Sequence, residues 1–131
     1  MDLSNLDFQQ ESEKSIVVQL RHPTSGKILE GATISVKGQQ SDSFQSAIRE
    51  LERKRSKMSA AVALNYDESG KREADDEMLN SSLITGWTGI EEEGKKVAFS
   101  TAEAARIIKK YRWIGNQVAM AAMDGSNFLP N

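Results

Sequence analysis

Ile84-Thr-Gly-Trp87, Gly94-Lys-Lys-Val97-Ala-Phe99-Ser100 and Trp113-Ile114-Gly-Asn-Gln117-Val118 decide how this chain is read. Together with Asn127-Phe128-Leu129 they punctuate its C-terminal third, Leu83 to Leu129. Both tryptophans and two of the four phenylalanines, Phe99 and Phe128, fall in that third. Aromatic side chains bury the most area per residue, so a small core is expected to gather around these rings. Ser100-x-x-Glu103 has the form of a capping box and sets a helix start. Ala104, Ile107, Ile108 and Tyr111 then draw one apolar stripe. A further helix carries Ile114, Val118, Ala121 and Ala122, with Trp113, Gln117 and Met120 on the adjoining face. Gly115 marks a bend or a close approach in it. Asp124-Gly125 stops this helix, and Phe128 is placed to fold back onto it.

Working outward, Trp87 and Ile90 precede Glu91-Glu-Glu-Gly94, with Val97 and Phe99 beyond. That pattern suits a second short hairpin around 87–99, or a loop tied down by aromatics, with the glutamates as a solvated turn. Before it, Ala74, Met78 and Leu79 predict a helix running on to Leu83 and Ile84, with Gly86 as its C-terminal cap. Tyr66–Arg72 is a polar break. Asp42-x-x-Gln45 reads as another capping box, and Phe44, Ile48, Leu51, Met58 and Val62 follow as one stripe. Arg55 interrupts that stripe: either its stem packs while the guanidinium reaches out to water, the favoured reading, or the helix bends away there.

Ile16, Val18 and Leu20 alternate with polar neighbours apart from Val17. Ala32, Ile34 and Val36 alternate again beyond the turn His22-Pro-Thr-Ser-Gly26. This predicts a β-hairpin, roughly 15–21 with 28–37, a bulge at Gly31 and an end at Gly38. A lone hairpin is barely stable in water, so one face must lie against helices or another subunit. The fold class is therefore α+β: an N-terminal hairpin packed with about four helices, residues 15–131 forming a single domain. Residues 1–14 precede it as a flexible arm. Leu3, Leu6 and Phe8 are its apolar anchors, and it is either a frayed tail or an arm that docks on a neighbour.

Composition narrows the function classes. A chain of 131 residues suits one domain with a modest core. Its 17 basic and 19 acidic residues give a net charge of −2, no electrostatic case for nucleic acid or an anionic membrane. Arg49–Lys57 is rich in cations, yet Glu50 and Glu52 are interleaved and Glu50 is placed to pair with Lys54. A solvated helix face is the expectation there. The absence of cysteine excludes disulfides and thiolate sites. Met1-Asp-Leu-Ser-Asn-Leu-Asp lacks the basic and apolar regions of a signal peptide, and no apolar stretch approaches a membrane span. These point to a soluble intracellular domain.

Chemistry is sparse. The single histidine, His22, sits in a turn, and metal-ligand spacings, nucleophile elbows and glycine-rich phosphate loops do not occur. No catalytic residue, cofactor or metal is expected, and the chain is read as a non-enzyme. Four of the five methionines, Met58, Met78, Met120 and Met123, lie in helical segments. Methionine adapts to varied helical partners, although such residues also fill ordinary cores.

One resemblance stands beside this reading. Trp, a short gap, Gly-Lys-x-Val-x-Phe-Ser, a helix, Trp-Ile-x-x-Gln-Val and a terminal Asn-Phe-Leu resemble the tail assembly chaperones of long-tailed bacteriophages. Val36-Lys-Gly38 and Asp42-Ser43-Phe44 are similar to a Gly-x-Asp-Ser junction of the same family. The matching positions are Gly38, Asp42, Ser43, Trp87, Phe99, Ser100, Trp113, Ile114, Gln117, Val118, Asn127, Phe128 and Leu129, most of them caps and core rather than contacts. The resemblance implies binding to the tape measure protein, recruitment of the major tail protein and self-association by head-to-tail contacts. It implies action in the host cytoplasm and absence from the mature virion. It also implies a frameshifted longer form, for which Leu129-Pro-Asn would be the slippery site. The residues nominated as partner contacts are Phe44, Leu51, Met58, Trp113, Met120 and Phe128. A structural protein of the tail or neck is the competing reading.

Overall fold

The alternation of Ile16, Val18 and Leu20 is realised in a computed structural model, which describes residues 3–68, 71–124 and 127. Strands β1 (Ile16–Arg21) and β2 (Ile28–Val36) pair antiparallel, with Ile16 opposite Val36 and Val18 opposite Ile34. Period two sends Leu20, Ile34 and Val36 inward and leaves Val17 in water. The register slips between Gln19 and Arg21, opposite the stretch of β2 that holds Gly31 at φ +80°. Gln19 Nε2 donates to the carbonyls of Leu20, Leu29 and Ala32 there, at 3.0, 2.7 and 3.1 Å. The side chain thus satisfies carbonyls beside the irregularity.

The sheet has a third strand that the periodicity hid. The helix predicted to reach Ile84 is α4 (Lys71–Ser81) and ends sooner; Ile84–Thr88 is β3, antiparallel to β2 in the order β1-β2-β3. Ser81 and Ser82 hydroxyls donate back to the carbonyls of Met78 and Leu79, at 2.8 and 2.6 Å, and compete with the helical pattern. Gly86 is no cap; it lies within the strand opposite Ser35. Beyond β3, Gly89 turns the chain at φ +69° with its backbone tight against Gly31. The second hairpin is shorter than 87–99. Strands β4 (Glu91–Glu92) and β5 (Lys95–Lys96) flank Glu93 and Gly94, both at positive φ, which is type I′ turn geometry.

The described residues hold six α-helices rather than about four. Helix α1 (Phe8–Ser12) follows a 3₁₀ turn at Leu3–Leu6, and the segment joins the domain at its end. Ser12 is fully buried, its carbonyl accepts from Gly38 N at 2.9 Å, and a Cβ on Gly38 would meet Ser12 Oγ at 2.5 Å. The Asp42-x-x-Gln45 box does not form. Ser41 occupies the N-cap of α2 (Asp42–Ser56), the Glu13 carboxylate takes the Asp42 amide, and Gln45 Nε2 turns to Gln39 O at 2.8 Å. That amide, with Lys37 close by, holds the Glu13 carboxyl below its usual range.

The long stripe breaks after α2. Ser59 Oγ accepts from Val62 N at 3.3 Å and opens α3 (Ala60–Glu68). Phe44 and Leu51 are therefore buried, Met58 sits half-buried in the break, and Val62 is exposed. The Arg55 guanidinium turns toward α4, with the side chain still 35% exposed. Its Nη2 lies 3.3 Å from Asp75 Oδ2 on α4, and its Nε is buried without a partner.

Helix α6 (Arg112–Met123) packs on β1 and β2, and α5 (Thr101–Lys110) packs against α4 and α6, its Ala104, Ile107 and Ile108 joining the same core. Ser100 Oγ accepts from Glu103 N at 3.0 Å, as the capping box requires, while the Glu103 carboxylate goes to Arg106 at 2.6 Å. Gly115 marks a close approach: a Cβ there would lie 3.3 Å from Ile108 Cγ2. The core is aliphatic, with Leu20, Ile34, Val36, Leu83, Ile107, Ile108 and Val118 all essentially inaccessible. Three of the rings expected at its centre, Trp87, Trp113 and Phe99, frame its edge. Trp87 and Trp113 are half-buried and Phe99 is 37% exposed. Trp87 Nε1 must find an acceptor, and it does so at the rim, on Val97 O at 2.8 Å, with Phe99 edge-on at 5.1 Å.

Candidate interaction surface

The densest charge cluster is built on the middle glutamate of the triplet. Glu92 is half-buried on β4 and faces the last turns of α5. Arg106 Nη2 lies 2.7 Å from one of its oxygens; Lys110 Nζ and Tyr111 Oη donate to the other at 3.2 and 2.6 Å. The Arg106 hydrogen bond, then that of Tyr111, holds its carboxyl down at about 2. Glu92 in turn raises Tyr111 and Lys110. Every lone pair of consequence is engaged by donors of this chain, so the cluster is a clamp between β4 and α5 rather than a poised acid or base.

The clamp has a pH signature. An ordinary carboxyl near 4.5 is lowered to about 2 in the fold, so its contribution is complete above about 4.5 and is lost as pH falls through about 2. Glu92→Gln therefore lowers the urea midpoint at pH 7, and the gap to wild type closes as both are measured toward pH 2. A gap of equal size at pH 7 and pH 2 would assign the loss to packing instead.

Behind the clamp lies a cleft of about 290 Å³, floored by Leu20, Ile107 and Ile114 and edged by Tyr111, Trp113 and Glu91 to Glu93. A larger and more open groove, about 600 Å³, runs between α2 and α4, with Leu51 and Met78 below and Arg53, Lys54 and Lys57 along its lip. Among the described residues, large apolar side chains are left in water on three helices (Val62 and Leu64 on α3, Met78 on α4, Met120 and Met123 on α6), and also at Leu3 and Leu6 on the arm, Val17 and Ile28 on the first hairpin and Phe99 before α5. Among the described residues, no helix is long and apolar enough to cross a membrane, and no three His, Cys, Asp or Glu side chains gather for a metal ion.

The nominated contact residues fall in different places. Phe44 belongs to the core. Leu51 is buried but lines the α2–α4 groove, with Met58 just beyond the end of α2. Trp113 edges the other cleft, and Met120 is 71% exposed on α6. Phe128 lies outside the described residues. Sequence reasoning missed the Glu92 clamp because Lys110 and Tyr111 stand 18 and 19 residues away, too far for any local spacing to show. It also passed over Leu64: the stripe drawn through the α2–α3 break placed Val62 on a covered face, and both side chains are exposed.

The recurring motif residues build the fold. Gln117 works like a strand partner: its Oε1 accepts from Arg21 N at 3.0 Å and its Nε2 donates to Arg21 O at 2.8 Å. Ile114 and Val118, on the same helix, are buried beneath the sheet. Gly94 supplies the turn, Val97 O accepts from Trp87, Phe99 packs edge-on against that indole and Ser100 caps α5.

Comparison with known proteins gives one family. No curated protein and no solved structure matches the chain. The family model that does match is described as YdaY prophage protein and covers residues 39–130, from just before α2 to the C-terminal motif. A match over more than half of the chain shows the family: this is a phage-derived protein, a member of the YdaY prophage protein family.

Proposed function

We propose that this prophage protein is a tail assembly chaperone. It binds the tape measure protein, keeps that partner soluble in the host cytoplasm, helps recruit major tail protein and leaves before the virion is complete. The observation that carries the reading is the set of apolar side chains uncovered on separate helices: Val62 and Leu64 at 53% and 63% exposed, Met120 and Met123 at 71% and 63%. A long apolar helix in water aggregates, and many weakly held copies of a small domain mask it reversibly. Flexible methionines suit that task because they adapt to a changing helical surface. The phage origin of the family and the ordered motifs between Asp42 and Asn127 support the same reading. It needs no bond-making from this chain.

Co-expression with the tape measure protein of the same prophage tests it. The expected result is a higher soluble yield of that partner and a complex that co-purifies, weakened by Met120→Asp combined with Met123→Asp. Unchanged yield with no complex would remove the chaperone reading. Recovery of the chain at stoichiometric amounts in purified particles would make it a structural tail or neck protein instead.

A further inference from the structure

The α2–α4 groove and the N-terminal arm complement each other. Leu3 and Leu6 are 69% and 50% exposed and share a 3₁₀ turn, where residues three apart eclipse, so they form a two-leucine ridge. Residues 3–11 carry Asp7 and Glu11 and no cation, although Lys14 just beyond reaches back to Glu11 at 3.0 Å. The groove offers the inverse: an apolar floor that includes Leu51 and the 41% exposed Met78, and a lip bearing Arg53, Lys54 and Lys57 against Glu50. Its other acid, Asp75, is engaged by Arg55 at 3.3 Å.

The anchor of the arm and the groove sit at opposite ends of one helix. The arm is fastened at the start of α2 through Glu13 and the Asp42 amide, whereas the groove spans Glu50 to Lys57 at the other end. At the rise of an α-helix this separates them by about 15–20 Å. The leucines remain in water here, so the arm does not fill the groove of its own chain.

We propose that residues 3–11 of one copy dock into the α2–α4 groove of a second copy. Donor and acceptor are different surfaces, so the contact is heterologous: each copy offers an arm on one surface and a groove on another, and copies add head to tail. The leucine ridge supplies apolar burial, and the acidic arm against the basic lip sets polarity and register. The contact concerns this chain alone and stands whether or not the tape measure reading does.

Two variants and their mixture test it by analytical ultracentrifugation of the full chain. Leu3→Ser with Leu6→Ser disables the arm; Lys57→Glu with Met78→Glu disables the groove. All four side chains are exposed, and circular dichroism melting checks that both variants fold. Lys57→Glu alone serves if the groove pair melts early. The expected result is wild-type protein whose mass grows with concentration, two monomeric variants, and a mixture that yields one-to-one dimers and nothing larger. Such dimers form because one intact arm meets one intact groove. Raised salt shifts wild type toward monomer. A wild type that stays monomeric, an arm variant that associates like wild type, or a mixture that stays monomeric would each overturn the proposal.

Discussion

Replacing Gly89 by alanine destabilises the protein by about 3 kcal/mol or more, through two costs that add at one atom. The residue sits at φ +69°, where an L side chain is strained. Its missing Cβ would also stand 2.0 Å from Gly31 O and 2.7 Å from Gly31 C. Both obstacles are backbone, and Gly31 is itself at φ +80° in the irregular stretch of β2, so no rotamer change relieves the clash. Gly86→Ala is the internal control: a Cβ there meets nothing within 4 Å and its φ is ordinary. Urea denaturation should move the midpoint sharply for Gly89→Ala and only slightly for Gly86→Ala. Equal shifts would show that the Gly31–Gly89 contact is not what joins β3 to the β4–β5 hairpin.

The second large effect locates the core. Ile107→Ala is expected to cost about 3–4 kcal/mol, because a 1% exposed side chain leaves a cavity between helices and sheet that cannot fully collapse. Phe99→Ala should cost about half of that or less, although the ring is larger, because Phe99 is 37% exposed and touches Trp87 only edge-on. Denaturant midpoints rank the two directly. The opposite order would return the aromatics to the centre of the fold.

Much was legible along the chain. Alternation, broken only by Val17, placed β1 and β2, because a residue on a half-buried sheet has only two faces to choose between. Ser100 announced α5 because a cap acts over three residues. The close approach at Gly115 was readable for the same reason: a glycine inside an apolar stripe leaves room for a neighbouring side chain, here Ile108. The α+β class was likewise visible.

The misreadings share one cause. Ile84-Thr-Gly-Trp87 continues the helical spacing of Met78 and Leu79, and only an unpaired edge of β2 makes it a strand. Asp42 looks like half of a capping box until Glu13, far back in the chain, takes its amide. Arg55 finds Asp75, and Glu92 finds Arg106, Lys110 and Tyr111, across distances in sequence that no local pattern encodes. By itself the sequence determined what short-range physics controls: the first hairpin, the start of α5 and the apolar faces of α5 and α6. Only the tertiary structure decided which charges meet, where the rings lie and which apolar side chains stay in water, because those depend on surfaces that exist once the elements have packed.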